Sequence, residues 1–524
     1  MSRIIDWIKK YQNLSFFMLA LGLVFVMYGS SLAGSFVFDD RSLIYYQDFL
    51  QSPFNWADVL KMSYWNQESG LYRPITLVSY SLNFAIFGTG AWSFHLINII
   101  LYALTGYLLF VFLKKVLGGK HKNKIALATS LLFLILPIHT EVVANIIGRA
   151  EIFALLFSIL GLSELIKKDP NKWKILFWFL LAMGSKENAI AVLPIAFLLW
   201  LRNSKIIESK KNTLKDVDQF FFPAFLSGFI YLSVRFLILG FNFLSNNASL
   251  VENPLKFVSW HERIFTALNI LWMYIYKSFI AFNLCSDYSY SQIPIAHFWN
   301  IGTLLGLVMI IFSVIGIIYF FKKNFNISLA LALFLFPYLV VSNLLTPIGT
   351  IAGERLFYYP SAGLCLLVVI VGFGIWQKLE KENLEKTFYV LLALVSVFYI
   401  AKSFDRALDW MTEEKLFISA GQCASRSVLS LSNLATVYYF KGDYQKAEKI
   451  ILDSYDIYDG YTKANNNLGL IYWKMGENEK AKEQFFKTFE HFPPYEGVYE
   501  NLVLFYLSQD NEKEAMKWYK LGGR

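Results

Sequence analysis

Charged residues are scarce in this chain of 524 residues. Asp, Glu, Lys and Arg make up 17% of it, against roughly a quarter of an average soluble protein, which argues against a water-soluble enzyme. Long disordered chains combine low hydrophobicity with high charge, and the 56% of hydrophobic residues exclude that class. The remaining class is a membrane protein with many spans.

Cysteine is scarcer still. Cys285, Cys365 and Cys423 lie far apart, without CxxC or Cys/His spacing, which argues against a disulfide framework or a zinc site. We therefore expect free buried thiols. The chain also lacks a P-loop, a GxGxxG or GxSxG motif and the kinase motifs, so no soluble nucleotide chemistry is suggested.

Apolar runs dominate residues 14–402 and end there. Twelve runs are visible: 14–33, 92–112, 125–138, 150–166, 174–184, 189–201, 219–240, 264–283, 299–320, 327–345, 361–376 and 387–402. The first run resembles a signal peptide, because Arg3, Lys9 and Lys10 precede it. We favour an uncleaved anchor, since the next segment holds the candidate reactive site.

The placement of Lys and Arg predicts the orientation. Segments 1–13, 114–124, 167–174, 202–215 and 322–323 hold 19 Lys and Arg against three acidic residues, and should face the cytoplasm. The net charge of +9 is thus an orientation signal rather than evidence for nucleic-acid binding. Three apolar runs separate the last two of these segments, where the number of crossings must be even. We expect 264–283, which contains Lys277, not to cross but to lie at the interface or to form a re-entrant element.

This topology predicts about eleven spans. The loops 34–91, 139–149, 184–188 and 346–360 then face outward, together with 286–298 and everything after residue 402. In the C-terminal part, a shift of 34 residues aligns the columns Asn433/Asn467/Asn501, Leu434/Leu468/Leu502, Tyr438/Tyr472/Tyr506 and Ala447/Ala481/Ala515. This period is typical of tetratricopeptide repeats.

Several further positions support the repeat assignment. Gly442 and Gly476 are expected to mark the turn between paired helices, with Asp510 in the third copy. The large apolar positions of the second helices are Ile451, Phe485 and Tyr519, and Pro493 ends the second repeat.

The predicted fold class is all-α: a polytopic membrane bundle followed by a helical-repeat domain. The predicted parts are a membrane domain 1–402 with its first outer loop at 34–91, a connecting segment 403–427 and repeats at 428–461, 462–495 and 496–524.

Charge close to a bilayer is costly, so ionisable residues of the outward loops are candidate functional groups. Asp39 and Asp40 follow the first span and suit a general base or the ligands of a divalent cation. The alternative is a solvated loop start in which Arg41 neutralises one acid. Arg73 is a candidate phosphate ligand through its planar fork, or it reaches lipid headgroups.

Other polar groups cluster near the ends of the spans. His95 and Asn98, at positions i and i+3, are expected to hydrogen-bond another helix rather than a substrate. The next outward loop carries a concentration that predicts an inward-facing polar cluster without the HExxH spacing of a zinc site: His139, Glu141, Arg149 and Glu151. Lys186 and Glu187 form either a structural turn or part of a site. Arg355 could hold a phosphate or pair with Glu354.

Taken in order, these blocks resemble the GT-C membrane glycosyltransferases, and most closely the transmembrane-and-tetratricopeptide-containing O-mannosyltransferases. The matching stretches are Asp39-Asp40, Tyr72-Arg73-Pro74, Phe94-His95-Leu96-Ile97-Asn98, Pro137-Ile138-His139-Thr140-Glu141, Gly148-Arg149-Ala150-Glu151, Ser185-Lys186-Glu187, Asn253-Pro254, Asp287-Tyr288-Ser289 and Glu354-Arg355-Leu356-Phe357-Tyr358-Tyr359-Pro360-Ser361, followed by the repeats.

The resemblance implies transfer of a sugar, mannose by analogy, from a polyprenyl-phosphate carrier to a protein hydroxyl on the outer side, with inversion. Asp39 would be the base and Asp40 would orient acceptor or sugar. The carrier phosphate would meet one or more of the cations Arg73, Arg149, Lys186 and Arg355, where developing charge most needs them. The sugar pocket would be shaped by His139, Glu141 and Glu151.

Two other functions stay open. The same chemistry on a lipid or glycan acceptor would leave the repeats to dock partner proteins, and a non-enzymatic membrane scaffold would only present the repeats. Three visible repeats suggest a bacterial member of the inner membrane, with the site and the repeats in the periplasm; in a eukaryote the site would face the lumen of the endoplasmic reticulum. We expect no nucleic-acid partner.

Overall fold

The computed structural model describes residues 12–51, 56–65, 70–203, 222–244, 247–378, 382–490 and 495–523. Every helix and turn within these ranges agrees with the predicted all-α class, and no strand occurs there. The predicted inward segments 1–13 and 202–215 lie largely outside the described residues, as does Pro493.

Each apolar run forms a helix over its described part. The α-helices that cover the runs are Gln12–Tyr28, Ala91–Val116, Lys122–Ile135, Arg149–Leu165, Lys172–Ser185, Val192–Asn203, Phe222–Leu239, Trp260–Ile280, Ile301–Lys323, Phe325–Val341, Tyr358–Trp376 and Glu382–Asp409. Shorter α-helices are Asp48–Gln51, Trp56–Val59, Pro74–Phe87 and Thr140–Ala144. Tighter 3-10 turns are Gly29–Ala33, Pro137–His139, Ile146–Gly148, Glu187–Ala191, Gly240–Leu244, Pro254–Lys256 and Glu354–Phe357, and Arg41–Tyr45 is a π-helical turn.

Six helical segments of the described chain are long and apolar enough to cross a membrane: Asn13–Ala33, Ala91–Val116, Ile146–Leu165, Phe222–Asn242, Ile301–Lys323 and Glu354–Trp376. A seventh is the pair Lys122–Ile135 and Pro137–Ala144, if this pair, bent by 55°, is one broken span. Trp260–Ile280 is not among them. The count of about eleven is not confirmed and stays a prediction.

The bend in the seventh candidate has a local cause. Proline has no N–H to donate and disfavours a helical conformation in the residue before it. Accordingly, Leu136 leaves the helix for an extended conformation, and a 3-10 turn restarts the chain at Pro137. After this break the short buried helix Thr140–Ala144 follows, which carries Glu141.

The repeat helices are Val428–Phe440, Tyr444–Tyr455, Thr462–Lys474, Asn478–Lys487, Gly497–Leu507 and Glu512–Leu521. Between paired helices the chain turns through positive φ at Gly442 (79°), Gly476 (81°) and Asp510 (56°). Aspartate is among the few residues other than glycine that tolerate this conformation, so it can replace glycine in the third turn. The three aligned alanines are buried between the helices of each pair.

One repeat position differs from the expectation. Ile451 and Phe485 are buried as predicted, but Tyr519 is 48% exposed. The neighbouring Trp518 instead packs on Phe489, at a ring distance of 5.3 Å. Tyr519 is not covered because no further described helix pair follows it to bury the outer face of the third repeat.

The prediction of free thiols is wrong for two cysteines. Cys285 and Cys423 form a disulfide across a sequence separation of 138 residues, while Cys365 is free and buried. The disulfide joins the loop after Trp260–Ile280 to the last residue of a helix in the connecting segment, Glu413–Cys423, called the connecting helix below. The spacing of cysteines in the sequence does not indicate such a bond, because only the tertiary fold brings the two residues together.

A second contact fixes the start of the repeats to the membrane domain. The carboxylate of Asp287 accepts hydrogen bonds from the hydroxyls of Ser427 and Ser430, the latter at 2.8 Å. Ser427 is also the N-cap of the first repeat helix. The ring of Tyr290 lies 5.3 Å from that of Tyr458. The repeats therefore dock on the loop that carries Cys285.

Candidate active site

Asp39 and Asp40 point to different partners. The Oδ2 atom of Asp39 lies 3.3 Å from Nη1 of Arg355, and its side chain is 22% exposed. Asp40 is fully buried and accepts the backbone N–H groups of Ile147 at 2.9 Å and Ile146 at 3.3 Å. Burial raises the pKa of Asp40 to about 7, although these N–H groups oppose the shift.

This divergence bears on the two roles given to Asp40. Both of its oxygens are engaged by the start of the Ile146–Gly148 turn, so it anchors the loop rather than contacting a sugar or an acceptor. It also shares no open position with Asp39 for a divalent cation. Among the described residues no group of three or more His, Cys, Asp or Glu is placed to hold a metal ion.

Arg355 connects Asp39 with Glu141. Its Nε lies 3.5 Å from Oε1 of Glu141, and its backbone N–H donates to Oε2 of the same carboxylate at 3.0 Å. The sequence left a pair with Glu354 open, but Glu354 accepts instead from the N–H of Cys285 at 2.6 Å and the hydroxyl of Tyr288 at 2.5 Å. Arg355 is 25% exposed, and Glu141 is almost fully buried beneath it.

Arg73 forms a bidentate ion pair with Glu187. The distances are 2.8 Å from Nε to Oε2 and 2.5 Å from Nη2 to Oε1. The guanidinium also lies over the ring of Tyr64, 4.5 Å from its centre. The nearby guanidinium lowers the pKa of Glu187 to about 2 against the opposing effect of burial. Pairing with Glu187 raises the pKa of Arg73 in turn.

A second ion pair lies beside the first. Lys186 is paired with Glu151, which also accepts from Nδ2 of Asn188 at 3.2 Å. Burial lowers the pKa of Lys186, partly offset by Glu151, while the positive charges of Arg73 and Arg355 act in the same direction as burial. The three cations therefore interact electrostatically and form one charged cluster with Asp39, Glu141, Glu151 and Glu187.

Arg149 is enclosed by neutral acceptors. It donates to the Oδ1 atoms of Asn98 at 2.9 Å and Asn83 at 3.0 Å, and to the carbonyl of Phe94 at 3.1 Å. Longer bonds reach the carbonyl and hydroxyl of Ser79, and the side chain is fully buried. These contacts tie three helices together, so the geometry supports a structural role rather than contact with a carrier phosphate.

The two candidate histidines are also buried. His139 lies between the hydroxyls of Tyr102, 2.9 Å from Nδ1, and Ser361, 2.8 Å from Nε2. His95 has no hydrogen-bond partner for either ring nitrogen among the described residues. The expectation that the His95–Asn98 face bonds to another helix holds for Asn98, whose Nδ2 donates to the carbonyl of Ile146 at 3.2 Å.

Two residues near the site have contacts that the sequence did not predict. Arg41 does not neutralise an aspartate of the pair but is paired with Glu413 of the connecting helix. Lys463, on the second repeat, donates to Oδ1 of Asn433 at 3.2 Å. Burial lowers the pKa of Lys463, while the negative charges of Glu413 and Asp39 raise it. The pair of Arg41 and Glu413 joins segments 372 residues apart, so no local pattern in the sequence indicates it.

Comparisons with known proteins find similarity in both the membrane part and the repeat part of the chain. Residues 74–231 match the family model of dolichyl-phosphate-mannose-protein mannosyltransferases, and residues 462–486 match a tetratricopeptide repeat. The first match contains Glu141, Lys186 and Glu187. The chain is thus similar to this mannosyltransferase family over 74–231 and to a tetratricopeptide repeat over 462–486, and the resemblance drawn from the sequence is confirmed.

Relatives along most of the chain are named protein O-mannosyl-transferases. The Caenorhabditis elegans protein is 26% identical over 450 residues, 84% of this chain and 62% of the relative. The human protein TMTC3 is 27% identical over 483 residues, 84% of this chain and 51% of the relative. The mouse protein TMTC4 is 26% identical over 457 residues, 77% and 61%. The chain spans between about half and 62% of the length of these relatives.

Proposed function

We propose that this protein is an integral-membrane glycosyltransferase that moves mannose from a polyprenyl-phosphate carrier to a Ser or Thr hydroxyl of a polypeptide. The observation that carries the proposal is the partly exposed Asp39–Arg355 pair at the edge of a buried cluster of charges. Charged side chains near the end of a membrane helix cost free energy, so such residues are candidates for a functional role. The names of the relatives support this choice of reaction.

In the proposed reaction Asp39 removes the proton of the acceptor hydroxyl as its oxygen attacks the anomeric carbon of the sugar. The bond from that carbon to the phosphate oxygen breaks, and the carrier phosphate leaves with the bonding electrons. A single displacement inverts the anomeric configuration. Because a carboxylate is a far weaker base than an alkoxide, proton removal is late, as the new bond forms.

Arg355 is the cation we assign to the leaving phosphate. Its side chain is 25% exposed, against 12% for Arg73 and 6% for Lys186. It also contacts the base, so a phosphate bound to it would lie next to the attacking hydroxyl. The carboxylate of Glu141 contacts both the guanidinium and the backbone N–H of Arg355, and so positions this residue. Arg73 and Lys186, each committed to its own carboxylate, contribute through their charge.

The repeats support a polypeptide acceptor. Lys463 on the second repeat is close enough for the charge of Asp39 to act on it. A peptide lying along the first helices of the repeats would therefore reach the base. A lipid acceptor would approach from the bilayer and would not need this placement.

The disulfide supports an outward-facing site. Disulfides persist in oxidising compartments and are rare in the cytosol, and Cys285 and Cys423 both border segments predicted to face outward. Candidate residues from four predicted outward loops also meet in one cluster, whereas the predicted inward segment 114–124 contacts Arg202 and Asn326. The 26-residue helix Ala91–Val116 separates these two regions. In a bacterium this side would be the periplasm of the inner membrane.

Incubating the purified protein in nanodiscs with labelled polyprenyl-phosphate mannose, polypeptide and lipid extract tests the proposal. We expect label in Ser or Thr of the polypeptide. Label in lipid or glycan would instead support the alternative in which the repeats dock partner proteins. If no carrier-linked sugar is consumed, the protein would be a non-enzymatic membrane scaffold. For sidedness, Cys423 in intact cells should react with an impermeant maleimide only after external reduction.

A further inference from the structure

Phe38, directly before Asp39, has an unfavourable backbone conformation. Its φ is 50°, in the left-handed region, and it is the only aromatic residue with positive φ within the described ranges. Such a conformation is a genuine outlier for a bulky side chain and costs about 1–2 kcal/mol. Strain of this kind persists only where the surrounding structure holds it, and it clusters at functional sites.

Phe38 lies in the same turn as the two carboxylates. The N–H of Asp40 donates to the carbonyl of Val37 at 3.0 Å, and the N–H of Arg41 donates to that of Phe38 at 3.2 Å. Across this turn Asp39 reaches outward to Arg355, while Asp40 reaches inward to the N–H groups of the Ile146–Gly148 turn. Phe38 and Asp39 are thus the two central residues of the turn from which both carboxylates project.

The residues that hold this turn come from the far end of the chain. The ring of Phe38 packs edge-on against Phe417 of the connecting helix, with ring centres 6.2 Å apart. Val37 lies in one buried cluster with Trp410 and Phe417 and with Val437 of the first repeat helix.

Polar contacts reinforce this packing on both sides of the turn. Before the turn, the N–H of Ser35 donates to the carbonyl of Met411 at 2.9 Å. After the turn, Arg41 is paired with Glu413. The disulfide fastens the other end of the connecting helix to Cys285, whose backbone N–H donates to the carboxylate of Glu354, the neighbour of Arg355.

We propose that the connecting helix is part of the active site: Phe417 holds Phe38 in the left-handed conformation, and Phe38 is the positioning residue that aims Asp39 at the acceptor. The inference rests on the proposed function of Asp39 as base. It makes sugar transfer depend on a segment outside the membrane domain. It also gives the connecting helix a role in catalysis distinct from any binding of acceptor by the repeats.

Three substitutions of Phe38 distinguish conformation from packing. Glycine adopts positive φ without strain, alanine does so at a cost, and a β-branched valine is the least tolerant. If the conformation positions Asp39, kcat falls in the order Phe38→Gly, Phe38→Ala, Phe38→Val, with at least about fivefold between the first and the last and an unchanged KM for the donor. Equal losses, or the reverse order expected of lost side-chain volume, would overturn the inference.

A second measurement does not depend on sugar transfer. In an Asp39→Cys background, an impermeant maleimide reports how the loop presents position 39, because Cys365 is buried and the other two cysteines are bonded. We expect Phe417→Ala to raise the labelling rate about fivefold, in line with release of the strain. Phe440→Ala, which removes an 80% exposed ring from the first repeat, should leave it unchanged.

An unchanged rate with Phe417→Ala, or an equal rise with Phe440→Ala, would overturn the inference. If labelling responds as expected but the unsubstituted protein transfers no sugar, the positioning of residue 39 stands and the proposed function fails.

Discussion

Arg149→Lys separates a structural cation from a phosphate ligand. The substitution keeps the charge but replaces a planar fork of five N–H donors with a single ammonium group. Arg149 is fully buried and makes its shortest bonds from Nε to Asn98 and from Nη2 to Asn83 and the carbonyl of Phe94. An ammonium cannot reach all of these acceptors at once.

The expected cost follows from the acceptors left without a donor. A buried unsatisfied acceptor costs about 1–3 kcal/mol, and the lysine would leave about two, so we expect a loss of about 3 kcal/mol in the free energy of unfolding. Denaturant-induced unfolding in detergent micelles measures it, with the exposed Arg426→Lys as the matched control. For the folded fraction, KM for the carrier-linked sugar should be unchanged. A tenfold rise in this KM with unchanged stability would refute the structural role.

Two further predictions concern stability. Removing either partner of the Arg73–Glu187 pair, by Arg73→Ala or Glu187→Gln, should lower the free energy of unfolding by about 3–5 kcal/mol. The double variant should lose clearly less than the sum of the two single variants. Additive losses would show that the two side chains do not stabilise each other. Burial raises the pKa of Asp40 to about 7, so the native state retains a proton that the unfolded chain has released. Stability should therefore fall as pH rises from about 4 to about 7, and a slope unaltered by Asp40→Asn would contradict this assignment.

The outward loops show what the sequence can predict. The bias of Lys and Arg predicts that the loops of Asp39, Glu141, Glu187 and Arg355 share one side of the membrane, and the structure brings these four residues into one cluster. The spacing of 34 residues likewise predicts the helix pairs that the structure shows. Both signals are repeated many times along the chain, so single exceptions do not erase them.

Individual side-chain roles are harder to predict. His139 and Glu141 lie two residues apart in one motif, yet His139 bonds to Tyr102 inside the bundle and Glu141 faces Arg355. The break at Pro137 sets these directions, and a sequence pattern does not specify how a broken helix restarts. Whether an arginine in a loop binds a phosphate or hydrogen-bonds to a side-chain amide depends on which residues of other helices pack against it.

Contacts between distant segments leave no local pattern at all. The disulfide joins Cys285 to Cys423, and Phe38 meets Phe417 although 379 positions separate them in the sequence. Neither pair has a periodic or motif-like signature. The connecting segment 403–427 therefore reads as a linker in the sequence, whereas in the structure it packs on the loop of Asp39.

The most direct test of the account replaces Asp39 by Asn, which removes the base with almost no change in size. Initial rates of mannose transfer from a labelled polyprenyl-phosphate donor to the polypeptide should fall about a thousandfold, with binding of the donor retained. Asp405→Asn, at a 70% exposed carboxylate, serves as the matched control and should keep the full rate. Transfer by the Asp39→Asn protein at the unsubstituted rate would contradict the central claim that this carboxylate activates the acceptor.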